Sequence, residues 1–539
     1  MSESAMSEKE STHEPEKESN THEPGGIQDE IEYVSGGKLV VLVVSLLLGM
    51  FLVALDNTIV GVAIPKITDE FKDLNKIAWY GSAYFMTFGG FQSTWGKLLK
   101  YFPLKLSYLI AMLLFEIGSL VCGVAKDPTT LIVGRAIAGL GASGVAVGIF
   151  TIIGFAVAPE KRPQLLGLTG AVYGIAAVCG PLLGGALTDK VSWRWNLPIG
   201  GAAGIFTFFF FKVPSTAKPA EATLKEKILQ LDLVGAALMM GLIISYILAL
   251  QYGGQTHAWN SSTVIGLLVG FVLILATWIC WELYLQDRAM VVPRLFKKNY
   301  IWVGSLYMFF FGGSYFVILY YLPIYFQSIH NTSPIGAGVR MLAMMIPLII
   351  AAPLQGFAMV AIRRVPPLQI VGGSIACIGA GLLYTLNEDT SAGRWIGFQI
   401  LVGFAIGIGF QNALSNAQVH ARPEDISQAS AIINFFVTIG GAFTISAAQS
   451  AFNNQLLLSV RASLPQVDAF QILGTGATAI RQVFTPEELP AILAGYTVAL
   501  KAVFAIATAG FGVATLISLL GSWALLPKGA VEKAAGGGA

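Results

Sequence analysis

Long apolar runs alternate with short polar connections from residue 38 to residue 526. A helix needs roughly 20 mainly apolar residues to cross a hydrocarbon core of about 30 Å. Runs of that kind fall at 38–62, 78–98, 105–125, 129–151, 163–187, 196–212, 231–252, 262–284, 300–322, 336–361, 367–386, 394–417, 426–450 and 496–526. The pattern predicts an all-α integral membrane protein with fourteen transmembrane helices. Two connections are unlike the rest. Residues 212–230 are rich in Lys, Pro and Ala and read as a cytosolic linker. Residues 453–495 read as a long external loop, with "RQVFTPEELPAIL" suited to a short interfacial helix.

The basic residues orient these spans. With a cytosolic N-terminus, 21 of the 33 Lys and Arg fall in inside segments and 9 outside, the others lying in or at the edge of spans. Cytosolic loops carry the excess of positive charge, so both termini are predicted to be cytosolic. The two N-x-[ST] sequons, at Asn260 and Asn331, both land in predicted outer loops as candidate glycosylation sites.

The organisation follows: a tail at 1–37, a six-helix half at 38–212, the linker 213–230, two additional helices at 231–298, a second six-helix half at 299–526 that includes the loop 453–495, and a cytosolic tail at 527–539. The first tail holds ten Asp and Glu against two Lys, with THEP at 12–15 echoed at 21–24. It has almost no apolar face to bury and is predicted to be an unstructured acidic cytosolic segment. It lacks the basic and apolar regions of a signal peptide.

Composition narrows the chemistry. Charged residues make up 12% of the chain, about half the share in soluble domains. No basic block suggests a nucleic-acid partner. Cys122, Cys179, Cys280 and Cys377 lie far apart in apolar runs, and the five histidines are scattered, so neither a disulfide nor a metal site is proposed. GxSxG, Walker A, HExxH and paired CxxC motifs are absent. The chain therefore reads as a transporter without enzymatic activity or cofactor, driven by an ion gradient.

Ionisable residues deep in spans are functional candidates. Three are present: Asp56 in "FLVALDNTIVGVAIP", Glu116 in "LLFEIGSL" and Arg135 in "LIVGRAIAGLGASG". All three fall in the outer part of the membrane, where Arg135 can pair with either acid. The pair is either a structural bridge or a proton-coupling site. Burial penalises a carboxylate and a neighbouring arginine stabilises it, and the balance sets where a proton exchanges. Amides and tyrosines (Asn57, Gln411, Asn412, Asn416, Asn434, Gln449, Tyr307, Tyr315 and Tyr320) either bond helices together or line a cavity for a partly apolar organic molecule. Asn412 and Asn416, four apart, share a helix face. Glycines at 174, 180, 184 and 185 surround Pro181 in "GIAAVCGPLLGGAL". In lipid such residues permit close helix contact, here expected to be with the partner half. Proton coupling without an ATPase motif describes a secondary transporter.

These motifs resemble the major facilitator superfamily over about residues 38–526, in particular its fourteen-helix drug:proton antiporter branch and the fungal toxin-efflux members of it. "LDNTIVGVAIPKI" at 55–67 is similar to the branch's first-helix motif, whose acid falls at Asp56. "LIVGRAIAGLGASG" matches the fourth-helix motif, whose arginine falls at Arg135 and is implicated in proton transfer. Gly180, Pro181, Gly184 and Gly185 match the fifth-helix motif of exporters. The gating loop between helices 2 and 3 keeps Gly96, Lys97 and Lys105 but has Lys100 where an acid is usual, which removes one acid-based gating pair. "WRWNLPIGG" at 193–201 lacks the usual aromatic-rich insert after Trp195, leaving only fifteen apolar residues for helix 6 unless Trp193–Trp195 join it.

The resemblance implies two six-helix halves rocking around a midplane cavity in the plasma membrane, or a vacuolar one, with protons and a small organic substrate as the only partners besides lipid. The chain is expected to act as a monomer. The expected cargo is a fungal metabolite, toxin or drug, exported against inward proton flow. A siderophore or basic amino-acid permease on the same fold, and a non-transporting membrane sensor, are the alternatives.

Overall fold

The computed structural model describes residues 33–71, 77–190, 219–475 and 480–526. The predicted sixth span at 196–212, the Trp195–Asn196 junction and both tail segments lie outside those residues, apart from 33–37. The described residues are helical, without a β-sheet.

The first half contains α1 (Gly36–Phe71), α2 (Ile77–Gly90), α3 (Gln92–Tyr101), α4 (Leu104–Gly123), α5 (Pro128–Ala156) and α6 (Arg162–Lys190). Helices α2 and α3 are one predicted span, broken at Phe91. An additional hairpin follows, α7 (Leu233–Tyr252) and α8 (Ser262–Leu285). The second half contains α9 (Asn299–Ser328), α10 (Pro334–Ile362), α11 (Pro366–Tyr384), α12 (Ala392–Gly409), α13 (Asn412–His420), α14 (Ile426–Ser463) and α15 (Leu489–Ser518). Helices α12 and α13 are again one predicted span, interrupted at Phe410–Gln411. Twelve helices among the described residues are long and apolar enough to cross a membrane. The loop expected to begin at 453 is shorter than predicted, because α14 continues to Ser463 and short helices occupy Ala469–Gly474 and Ile480–Val483.

Local chemistry sets the helix starts. Asp127 caps α5 by accepting from the Thr130 N–H at 2.9 Å, with Pro128 at the first helical position. Ser261 and Ser333 cap α8 and α10 the same way. Each cap satisfies an N–H that has no partner inside its own helix. The sequon residues Asn260 and Asn331 are exposed beside these caps.

Lipid tails are as apolar as leucine, so helices in a membrane associate through close packing of small residues more than through apolar burial. Gly141 of α5 lies so close to Phe115 of α4 that a Cβ there would overlap the Phe115 backbone. Gly403 of α12 is pressed against the Met344 carbonyl of α10, and Gly440 of α14 against the Phe309 carbonyl of α9. Valine at Gly403 is therefore expected to force α10 and α12 apart. The check is the yield of monodisperse protein, which should fall several-fold, whereas valine at the open Gly266 on α8 should leave it unchanged.

The hairpin is peripheral. Helix α7 packs on α2 of the first half and α14 of the second, while α8 packs mainly on α7. Most of α8 is exposed, with Val269, Val272 and Leu273 facing outward, as expected of a lipid-facing helix.

Candidate functional site

A cavity of about 410 Å³ lies between the two halves. Every long helix of the first half except α4 lines it, together with α7, α9, α10, α14 and the α12–α13 break. Aromatic rings form much of the wall: Phe85, Phe88, Phe150 and Tyr173 on one side, Tyr315, Phe316, Tyr320, Tyr321 and Phe410 on the other. Tyr173 and Phe316 meet edge to face across the halves at 6.5 Å. Polar groups interrupt this wall at Asn57, Gln92, Gln251, Gln411, Asn434, Thr438, Ser446 and Gln449.

At one side, Arg135 Nη1 donates to Asp56 Oδ2 at 2.7 Å, with the side chains 2% and 5% exposed. Arg135 Nε donates to the Tyr80 carbonyl at 3.0 Å, and the guanidinium lies 4.3 Å from the centre of the Tyr84 ring. Arg135 reaches the cavity wall and Asp56 lies behind it. The sequence left two acids open to Arg135; the geometry selects Asp56. Glu116 is half-buried on α4, its Oε1 without a hydrogen-bond partner among the described residues, and it does not reach the cavity.

Three of the residues considered for the cavity lie off its wall. Tyr307 is buried and donates to the Gly409 carbonyl at 3.2 Å. Asn412 donates to the Ile408 carbonyl at 2.7 Å and accepts from Gln355 at 2.6 Å. Asn416, one turn further on, follows α13 away from the cavity. Tyr315, Tyr320, Asn57, Gln411, Asn434 and Gln449 are on the wall.

The cavity is sealed toward the face that carries the Gly96–Lys105 connection, predicted to be cytosolic. Its floor is the Gln92 amide donating to Thr438 Oγ1 at 3.0 Å and Gln411 donating to Thr169 Oγ1 at 3.4 Å, both across the halves. Below that, Gly96 lies against Ala431 and the Ser427 carbonyl. Arg162 donates to the Gln418 carbonyl at 2.6 Å, and Gln418 donates to the Phe150 carbonyl at 2.8 Å.

At the outermost layer Asp425, 2% exposed, accepts both Nη atoms of Arg294 at 3.0 and 3.1 Å and faces Lys100 at 3.5 Å. The hydrogen bond to Asp425 holds the Arg294 guanidinium well above its ordinary pKa. Lys97 donates to Gln230 Oε1 at 3.3 Å and to the Asp287 carbonyl at 2.9 Å, joining the entry and exit of the α7–α8 hairpin to α3. The acid missing at position 100 is thus replaced by an acid on the other half. Sequence reading missed Asp425 and Arg294; the available signal was an acid in "RPED" at the head of α14 facing a loop of uncompensated lysines. Lys105 is half-buried and makes no ion pair among the described residues.

The expected contact of the exporter-like stretch with the partner half is present at its first glycine, Gly174. Gly174 meets Leu348 and Ile349 of α10, and one turn before it Gly170 meets Ala352 of the same helix. Ala176 is buried in a cluster with Ala54, Leu55 and Tyr80 of its own half. Gly180 is buried, and the surroundings of Pro181, Gly184 and Gly185 lie outside the described residues, although the helix runs through them. No group of three His, Cys, Asp or Glu among the described residues is arranged to hold a metal ion.

A polytopic helical bundle with a central cavity between two halves is the architecture of a membrane transporter. The chain belongs to the Major Facilitator Superfamily, whose model matches residues 46–445. It is 64% identical to the probable efflux pump gsfJ of Penicillium aethiopicum, over 94% of this chain and 91% of that protein. It is 53% identical to the MFS-type transporter grgE of a Penicillium species, over 91% and 88%. In fold it is similar to the human organic anion transporter MFSD10, with a TM-score of 0.58 at 12% identity, over 90% of this chain and 100% of that one.

Proposed function

We propose that this protein exports small amphipathic organic compounds, driven by protons moving inward, from the cytosol of a fungal cell across its plasma membrane. The observation that carries this reading is the buried Asp56–Arg135 pair at the wall of a cavity open to both halves. Relatives named as efflux pumps support the direction of transport.

Protonating Asp56 removes the charge that holds Arg135 Nη1, leaving the guanidinium on the Tyr80 carbonyl and the Tyr84 ring. Breaking a buried pair is costly while the acid stays charged and much cheaper once it is neutral. Proton binding and movement of Arg135 are therefore linked, and Arg135 touches the substrate space. A substrate that favours one arrangement of Arg135 changes proton affinity by the same factor. Rocking the halves about the cavity then exposes both ligands to the other side. Asn260 and Asn331 are the proposed glycan acceptors, and the protein is proposed to work as a monomer.

Proteoliposomes with an imposed pH gradient test this. An amphipathic fluorescent dye is expected to accumulate on the side from which protons flow, and a protonophore should abolish the accumulation. Accumulation that ignores the gradient rules out proton coupling.

A further inference from the structure

The cavity wall carries very little charge. Among the described residues its lining includes no Asp, Glu, Lys or His, and Arg135 is its sole ionisable cation. That cation is already neutralised by Asp56, which sits behind it and off the wall. We propose that the cavity selects uncharged, ring-bearing molecules with several hydrogen-bonding groups and rejects organic cations. This deepens the export reading above, which supplies the physiological use of the selectivity.

Each part follows from what the wall offers. A cation entering the cavity leaves water, meets the guanidinium before the carboxylate, and finds no free acid among the described lining residues to pair with it. An unpaired ion in such a site keeps most of its desolvation penalty. Attraction to aromatic faces offsets only part of that penalty, and the guanidinium already on the Tyr84 ring adds repulsion. A flat neutral ring loses little on entry and packs against Phe85, Phe88 and Phe410.

The amides supply orientation. Asn57 Oδ1 is buried without a hydrogen-bond partner among the described residues, while half-buried Gln251 and exposed Gln449 make no hydrogen bond among them and offer theirs to an incoming molecule. Buried polar atoms left unpaired are costly, so a ligand bringing complementary hydroxyl or carbonyl groups is favoured over a bare hydrocarbon. Specificity here comes as much from what is penalised as from what is attracted.

A matched pair of probes tests the proposal on the purified full-length protein: neutral dimethylaminostyrylpyridine at mildly alkaline pH, and its N-methyl quaternary salt. They differ by one methyl group and one charge. Fluorescence anisotropy is expected to show the neutral compound binding at least about tenfold more tightly, a difference of about 1.4 kcal/mol. Gln449→Glu and, independently, Asn434→Asp each place a carboxylate on the wall and should raise affinity for the salt by about tenfold or more, with size-exclusion profiles confirming folded protein. Equal or tighter binding of the salt by the unaltered protein overturns the proposal, and so does failure of the neutral compound to bind. Tight, neutral-selective binding without gradient-driven movement in proteoliposomes leaves the selectivity standing and removes the export reading instead.

Discussion

Asp56→Asn is expected to abolish gradient-driven accumulation of substrate while leaving passive exchange intact. The carboxylate is 5% exposed and receives the Arg135 Nη1 hydrogen at 2.7 Å. An amide at position 56 still accepts that hydrogen bond but has no proton to exchange. One proton crossing 100 mV supplies about 2.3 kcal/mol, equivalent to about a fiftyfold concentration ratio at equilibrium. The variant should therefore drop to a ratio near one, with counterflow of labelled substrate still measurable. Arg135→Ala is a harsher change, because it leaves a buried carboxylate without its counter-charge at a cost of about 3–5 kcal/mol. It should lower the folded yield as well as transport. A double variant, Asp56→Asn with Arg135→Gln, should recover yield without recovering coupling. Undiminished accumulation by Asp56→Asn would assign the proton to another group.

The spans among the described residues were legible because each had to be apolar over its whole length, and hydropathy reports that directly. The pair at the site was legible in part. Three intramembrane charges stood out, but linear spacing between α1, α4 and α5 carried no information about which acid faces Arg135. Residues of the cavity were the hardest to place. Asn412 and Asn416 do share a face, yet periodicity states only that they point together. After the interruption at Phe410–Gln411, Asn412 turns to Gln355, and of the three amides at 411, 412 and 416 only Gln411 lines the cavity. Tyr307 is four residues before Phe311, which it stacks upon at 5.1 Å inside the second half; an aromatic in a span carries no mark of which side it packs on. The latch on the Gly96–Lys105 face escaped notice for a different reason. Asp425 and Arg294 lie at helix ends, where charged residues are ordinary, and only their convergence across 131 positions gives them meaning.

That latch gives the second large effect. Asp425→Ala is expected to open the face that carries the Gly96–Lys105 connection, the one predicted to be cytosolic. Asp425 is the one group shared by Lys100 of the first half and Arg294 of the segment leaving the hairpin. Its own burial and the two-pronged Arg294 contact make this more than a surface bridge, although Arg294 is 45% exposed and its share is reduced by solvent. Hydrogen bonds to a charged group contribute roughly 1.5–3 kcal/mol, so loss of the acid should shift the closed-to-open ratio by about tenfold or more. Two cations left facing each other add repulsion. In a cysteine-free background with Ser427→Cys as reporter beside Gly96, maleimide reactivity from that side should rise by about that factor. Arg294→Ala should give a smaller increase, and the double variant should show less than the sum, because both changes remove the same bond. Unchanged reactivity in Asp425→Ala would mean that the glycine contact at Gly96 and the Arg162–Gln418 bond hold the face shut without the charges.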